Sequence, residues 1–181
     1  MNKYKIIALM GEAGSGKDTI LKEILKKHSG LHGIVSCTTR PPRENEVNGK
    51  DYIFLSKEEF AEKVLNLEML EAVMFREWFY GTSFDSLDST CVNIGVFNPE
   101  GIYALLEYPN IDLTVYYLQT SPKTRLIRQL NRETYPDIEE IIRRYYADNK
   151  DFLDLDFPYK ILSNENLEDL EKAIETIIGS L

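Results

Sequence analysis

The chain is poor in the residues that most often carry reactive chemistry or covalent staples. Cys37 and Cys91 are the only cysteines and lack metal-ligand spacing, which argues against a disulfide scaffold or a structural zinc site. A reduced, cytoplasmic compartment is the expectation that follows. Histidine is equally scarce: His28 and His32 stand in no catalytic-looking context. No run approaches the roughly 20 apolar residues that a membrane-spanning helix needs. The opening "MNKYKIIALM" has an apolar stretch too short for a signal peptide and leads straight into a glycine-rich loop, so it reads as a buried first strand. Positive charge is also in deficit. A net charge of −9 leaves no broad basic face, which argues against nucleic acid or an anionic membrane as partner. Any anionic ligand must be met by a local basic cluster. There are no repeats and no low-complexity stretches, and 181 residues make one domain, or one domain with an inserted lid.

What is present begins with "GEAGSGKDT", residues 11–19, set between a predicted strand, Tyr4 to Met10, and a predicted helix from about Lys17 to His28. Strand, glycine loop and helix are the context that a phosphate-binding loop requires. Gly11, Glu12, Ala13, Gly14, Ser15, Gly16, Lys17, Asp18 and Thr19 form the candidate ATP site. Its glycines let successive backbone N–H groups turn toward one anion, and the helix N-terminus adds positive potential. Lys17 is the residue to reach the β- and γ-phosphates. The pattern expects Ser or Thr next, as a magnesium ligand. Here Asp18 follows, and a carboxylate can hold Mg2+ directly or through water.

The second cluster is "SCTTRPPRENEVNGKDYIF", residues 36–54. Proline fixes φ and disfavours helix for the residue before it, so Arg40-Pro41-Pro42-Arg43 is predicted to be extended. With about three residues per polyproline turn, Arg40 and Arg43 share an edge and can grip one oxyanion. The alternative is a solvated loop in which they pair with Glu44, Glu46 or Asp51.

Elsewhere strands alternate with helices. Strands are predicted at 33–37 ("GIVSC"), 52–54, 68–75, 78–83, 89–97, 112–120 and 159–164. Helices are predicted from the capping box Ser56/Glu59 to about Asn66, and over 98–108, 121–130, 137–152 and 167–178. The alternation implies an α/β fold with a parallel sheet flanked by helices. Short strands around 38–90 break the pattern and read as an insertion.

Phosphate loop, "TTRPPRENEVNGKDYIF" and "LEAVMFREWFYGTS", in that order and spacing, resemble the guanylate kinase family over nearly the whole chain. The resemblance implies a P-loop NTPase-type core (about 1–37, 89–122 and 153–181), an inserted mixed-strand region that binds the nucleoside monophosphate (about 38–88) and a helical lid (about 123–152). It implies phosphoryl transfer from ATP to GMP or dGMP with Mg2+. Carried over, Ser36, Arg40, Arg43, Tyr52 and Tyr80 hold the GMP phosphate, and Glu71 and Thr82 read the guanine edge. Lys17 and the lid arginines Arg128, Arg132 and Arg144 are the implied catalytic groups. The family's acidic pair on the strand at 89–97 falls on Asn93 and Gly95. Asn93 is expected to hydrogen-bond the base, and Asp18 to take over part of the missing metal role. Two alternatives stay open: a kinase for another purine or modified nucleoside monophosphate, and an inactive relative that binds a partner.

Overall fold

The computed structural model describes residues 4–42, 46–75, 77–132 and 134–181. The main sheet has five parallel strands in the order β2 (Leu31–Gly33), β7 (Val92–Val96), β1 (Tyr4–Met10), β8 (Ile111–Gln119) and β9 (Lys160–Ser163). β1 lies at its centre because its run is apolar on both faces. Side chains alternate along a strand, so Ile6, Ala8 and Met10 enter one core layer while Ile7 and Leu9 enter the other. The second layer is closed by α1 (Lys17–Lys27) and α6 (Leu167–Ile178), through Ile20, Ile24, Ala173, Ile174 and Ile177. The first is closed by α3 (Pro99–Leu106), through Ile102 and Leu105. Each such buried side chain contributes about 1.5–3 kcal/mol relative to an exposed one.

A second sheet of four strands, in the order β4 (Ile53–Phe54), β3 (Cys37–Thr38), β6 (Trp78–Ser83) and β5 (Met69–Phe75), stands over the carboxyl ends of β1 and β7. β3 and β4 are parallel, and the other pairings are antiparallel. The predicted strand 33–37 is therefore a correction. Ile34 N still donates to Ile94 O of the main sheet (2.8 Å), whereas Ser36 O already accepts from Ile53 N of the second sheet (2.9 Å). The apolar run is shared between two sheets, so its middle belongs to neither. Periodicity alone could not divide it.

The helix signals behave as their chemistry dictates. Ser56 and Glu59 form a reciprocal capping box at the start of α2 (Lys57–Leu65). Asn98 caps α3, with Pro99 at its first position. α4 (Pro122–Leu130) and α5 (Ile138–Asp151) pack against each other and reach back to the glycine loop. Among the described residues no helix is long and apolar enough to cross a membrane.

Candidate active site

One cleft of about 680 Å³ opens where the glycine loop, the second sheet, the start of α3 and the helices α4 and α5 converge. This is the carboxyl end of the central strands, where open α/β sheets bind ligands. The loop itself is shaped by backbone conformation. Gly14 has φ +82°, and a Cβ there would stand 2.5 Å from the carbonyl oxygen of Arg125, so only glycine fits. Asn164 Nδ2 (2.6 Å) and Thr120 Oγ1 (3.3 Å) donate to Ser15 O behind the loop and fix its course. Lys17 Nζ donates to Gly11 O (2.7 Å) and Glu12 O (3.1 Å), which holds the ammonium across the loop. Burial lowers its pKa, against the pull of Asp18, Asp148 and Glu12. Asp18 and Thr19 are exposed in the first turn of α1 and face the cleft.

On the opposite wall, Arg40 is buried and forms a two-point pair with Glu46, Nη1–Oε2 and Nη2–Oε1 both at 2.6 Å. Its guanidinium lies 4.9 Å from the ring centre of Tyr52 and 5.5 Å from that of Phe54. The loop-pairing alternative for Arg40 is thus realised with Glu46, and the same fork still lines the cleft. Arg43 lies outside the described residues. Ser36, Tyr52 and Tyr80 line the cleft beside Arg40. Burial pushes the Tyr52 phenol up to about 12, so it remains a hydrogen-bond donor.

Glu71 faces the cleft from β5 and stands opposite Thr82 of β6. Burial pushes its carboxyl up to about 7, against a hydrogen bond from Thr82 that favours the ionised form. Thr82 itself is fully buried, lies outside the cleft lining and sits 3.4 Å from Ser36 Oγ. Its hydroxyl holds the Glu71 carboxyl in place from outside the cleft lining. Glu71 also points at the first turn of α3: a Cβ on Gly101 would be 3.7 Å from its carboxyl carbon.

Asn93 is the second correction. It is fully buried, accepts from Asp88 N (2.7 Å) and donates to Asp88 O (2.8 Å) and Lys5 O (3.2 Å). Paired in register with Ile6 and His32, it sits short of the end of β7 that reaches the cleft. Its amide clamps the 88–91 loop and takes no part in the cleft lining. At Gly95 the neighbouring space is taken by Ile34 and Phe97, 3.0 and 3.1 Å from where a Cβ would stand.

Arg128, Arg132 and Arg144 all line the cleft. Arg128 donates to Gly14 O (3.4 Å) and Glu165 O (3.3 Å), and Arg144 Nε pairs with Glu140 at 2.5 Å. Four further polar groups on the walls escaped the sequence reading: Asn98, Gln129, Asp148 and Asp151. Asp148 follows Arg144 by four residues on α5, so an inward-facing Arg144 brings it along. That spacing was the available signal. Beneath them, buried Arg125 pairs with Glu12 at 2.5 Å and lies 5.4 Å from the Tyr145 ring centre. Among the described residues, Lys17, Arg40, Arg128, Arg132 and Arg144 face Asp18, Glu46, Glu71, Asp148 and Asp151, a cluster of both signs within a strongly acidic chain.

Residues 3–181 match the family model described as guanylate kinase. The chain is 33% identical to a guanylate kinase of Thermotoga maritima over 98% of its own length and 87% of the relative's. It is 32% identical to a guanylate kinase of Gloeobacter violaceus over 96% and 86%. The solved structure of guanylate kinase from Anaplasma phagocytophilum superposes with a TM-score of 0.71 over 99% of this chain and 87% of that one, at 21% identity, a likeness of fold.

Proposed function

The chain belongs to the guanylate kinase family, and on that premise we propose that it transfers the terminal phosphoryl group of ATP to GMP or dGMP, giving ADP and GDP or dGDP. The observation that carries this reading is a single cleft in which a phosphate loop faces Arg40, Ser36, Tyr52 and Tyr80 across a short distance, with Glu71 beyond them. The loop's N–H groups and Lys17 hold the donor phosphates. Arg40 and the three hydroxyls hold the acceptor phosphate, with Glu46 yielding one side of the Arg40 fork. Ionised Glu71 accepts from guanine N1–H and the 2-amino group together, a pairing that adenine cannot offer.

The nucleophile is a phosphate oxygen already ionised at neutral pH, so no general base is required. The chemical task is to align two polyanions and neutralise the charge spread over the transferred group. Arg128, Arg132 and Arg144 surround the space between donor and acceptor and supply that charge. Closing α4 and α5 over the cleft excludes water and suppresses simple hydrolysis of ATP. Magnesium fits the donor set. Asp18 offers one carboxylate oxygen donor beside Lys17, and Mg2+ is held by one or two carboxylates with the substrate's phosphates. Among the described residues no group of three or more His, Cys, Asp and Glu could hold a metal unaided. When bound, the ion would neutralise charge on the phosphates beside Asp18. The free thiols Cys37 and Cys91 suit a reducing cytoplasm, where we place the reaction.

A coupled assay of ADP release with GMP, dGMP, AMP, UMP and IMP as acceptors tests the reading. Turnover that depends on GMP, and is lost in Lys17→Ala and in Arg40→Ala, supports it. Preference for another acceptor reassigns the substrate. ATP binding without turnover on any of them makes the chain a non-catalytic relative.

A further inference from the structure

α5 touches the phosphate loop directly. Asp148 Oδ2 accepts from Ala13 N at 2.6 Å, the geometry of a charge-assisted hydrogen bond. Ala13 is one of the loop residues that line the cleft. The amides of such a loop form an anion cradle, so the carboxylate is held by the same type of donor that receives a nucleotide phosphate. The groups acting on that carboxyl are Lys17, Arg125 and Glu12, all belonging to the loop or to α4. A second carboxylate contact repeats the attachment: Glu12 pairs with Arg125, which is 2% exposed and lies beneath Tyr145 of α5. One contact is buried architecture. The other stands in the cleft.

We propose that Asp148 acts as an internal phosphate surrogate, which holds α5 on the loop and must leave Ala13 N before a nucleoside triphosphate seats fully. The inference rests on the proposed ATP site. Two anions cannot share one N–H donor, and they repel each other at close range. ATP and ADP consequently bind more weakly than the loop alone would allow, and their arrival breaks the Asp148 contact with the loop. GMP, held on the second sheet, does not compete with Asp148. The residue is therefore a positioning and affinity-setting group, distinct from the arginines that neutralise the transferred phosphoryl.

Calorimetric titration of wild type, Asp148→Ala and Asp148→Asn with ATP–magnesium and with inorganic tripolyphosphate tests this, alongside steady-state kinetics. Asp148→Ala is expected to bind both titrants about tenfold more tightly, the equivalent of one charged hydrogen bond. The KM for ATP should fall and the KM for GMP stay unchanged. Asp148→Asn, which keeps an acceptor for Ala13 N but loses the charge, should fall between. General damage to the fold does not tighten binding, so a gain in affinity identifies competition. Unchanged or weaker binding of tripolyphosphate in Asp148→Ala overturns the proposal. If the alanine variant does not fold, the asparagine variant decides by the same criterion. Failure of the kinase reading shows separately, as wild type that releases no ADP with any acceptor. The tripolyphosphate titration reads the surrogate whatever the acceptor is.

Discussion

On the proposed function the phosphate loop and the acceptor wall each hold an anion, and they are built differently. The loop uses backbone. Its donors are successive N–H groups, its shape is set by positive-φ glycines such as Gly14, and Asn164 and Thr120 hold it from behind. The acceptor wall uses side chains drawn from scattered positions: Ser36, Arg40, Tyr52 and Tyr80. Backbone donors cannot be neutralised without refolding the loop. A guanidinium in a protein interior has to bring its own counter-ion, and Arg40 brings Glu46. The lesson is that a side-chain anion site carries a built-in competitor, whereas a backbone site does not need one. On our proposal, Asp148 at Ala13 is one that the backbone site has acquired all the same.

Substitutions can break this contrast or sharpen it. The largest effect is expected from Lys17→Ala, which removes the charge that spans the loop and should lower kcat on the order of 10³-fold with little change in the KM for GMP. Steady-state kinetics at saturating ATP would show it. Arg40→Ala should raise the KM for GMP about 100-fold and also destabilise the fold by about 1–3 kcal/mol, because the two-point pair with Glu46 is lost. Chemical denaturation of the double variant Arg40→Met with Glu46→Gln should recover most of that stability while GMP binding stays lost. If the loop and wall were built alike, Lys17→Ala would show the same split.

Glu71→Gln is the next in size, expected to reduce kcat/KM for GMP about 10- to 100-fold. Its pH behaviour is more diagnostic. With the carboxyl at about 7 in the fold, wild type should lose GMP affinity as pH falls through 7, since the protonated acid no longer accepts two hydrogen bonds. Stability moves the other way. The fold favours the protonated form, so this group's contribution is greatest below the ordinary carboxyl pKa of 4.5 and is lost as pH rises toward 7. Both dependences should flatten in Glu71→Gln when binding and denaturation are measured from pH 5 to 8. The smallest kinetic effect belongs to Asn93→Ala. It should cost about 1–3 kcal/mol in denaturation by orphaning the backbone groups of Asp88 and Lys5, and leave the KM for GMP unmoved.

What could be read in the sequence follows the same division. The glycine loop, β1 and the capping box at Ser56 are local patterns, and each lies where its spacing places it. The crossover at 34–36 was misread because hydrophobicity does not say which sheet a residue joins. The resemblance makes Asn93 a base contact because it falls on the family's acidic pair. Its depth along β7, set by pairing with Ile6 and His32, depends on register and not on sequence spacing. The resemblance puts Thr82 at the base, and it does share a sheet face with Glu71 and Tyr80, yet it is fully buried and lies behind the cleft lining. Asp148 went unread for a different reason. A carboxylate that opposes a site has no motif of its own, and its role appears only when the chain has brought it to its partner.

The crossover also places near neighbours in sequence in two different sheet units. The amide of Ile34 is bonded into the main sheet, and the amide of Ile53 is bonded to Ser36 in the second. Sub-global opening proceeds by units of this kind, so the two amides should exchange hydrogen with solvent at rates set by different opening events. A nucleotide that bridges the cleft ties those events together. The difference in protection between Ile34 and Ile53 therefore acts as an intrinsic gauge of how firmly the two halves are clamped, read without any label and without turnover.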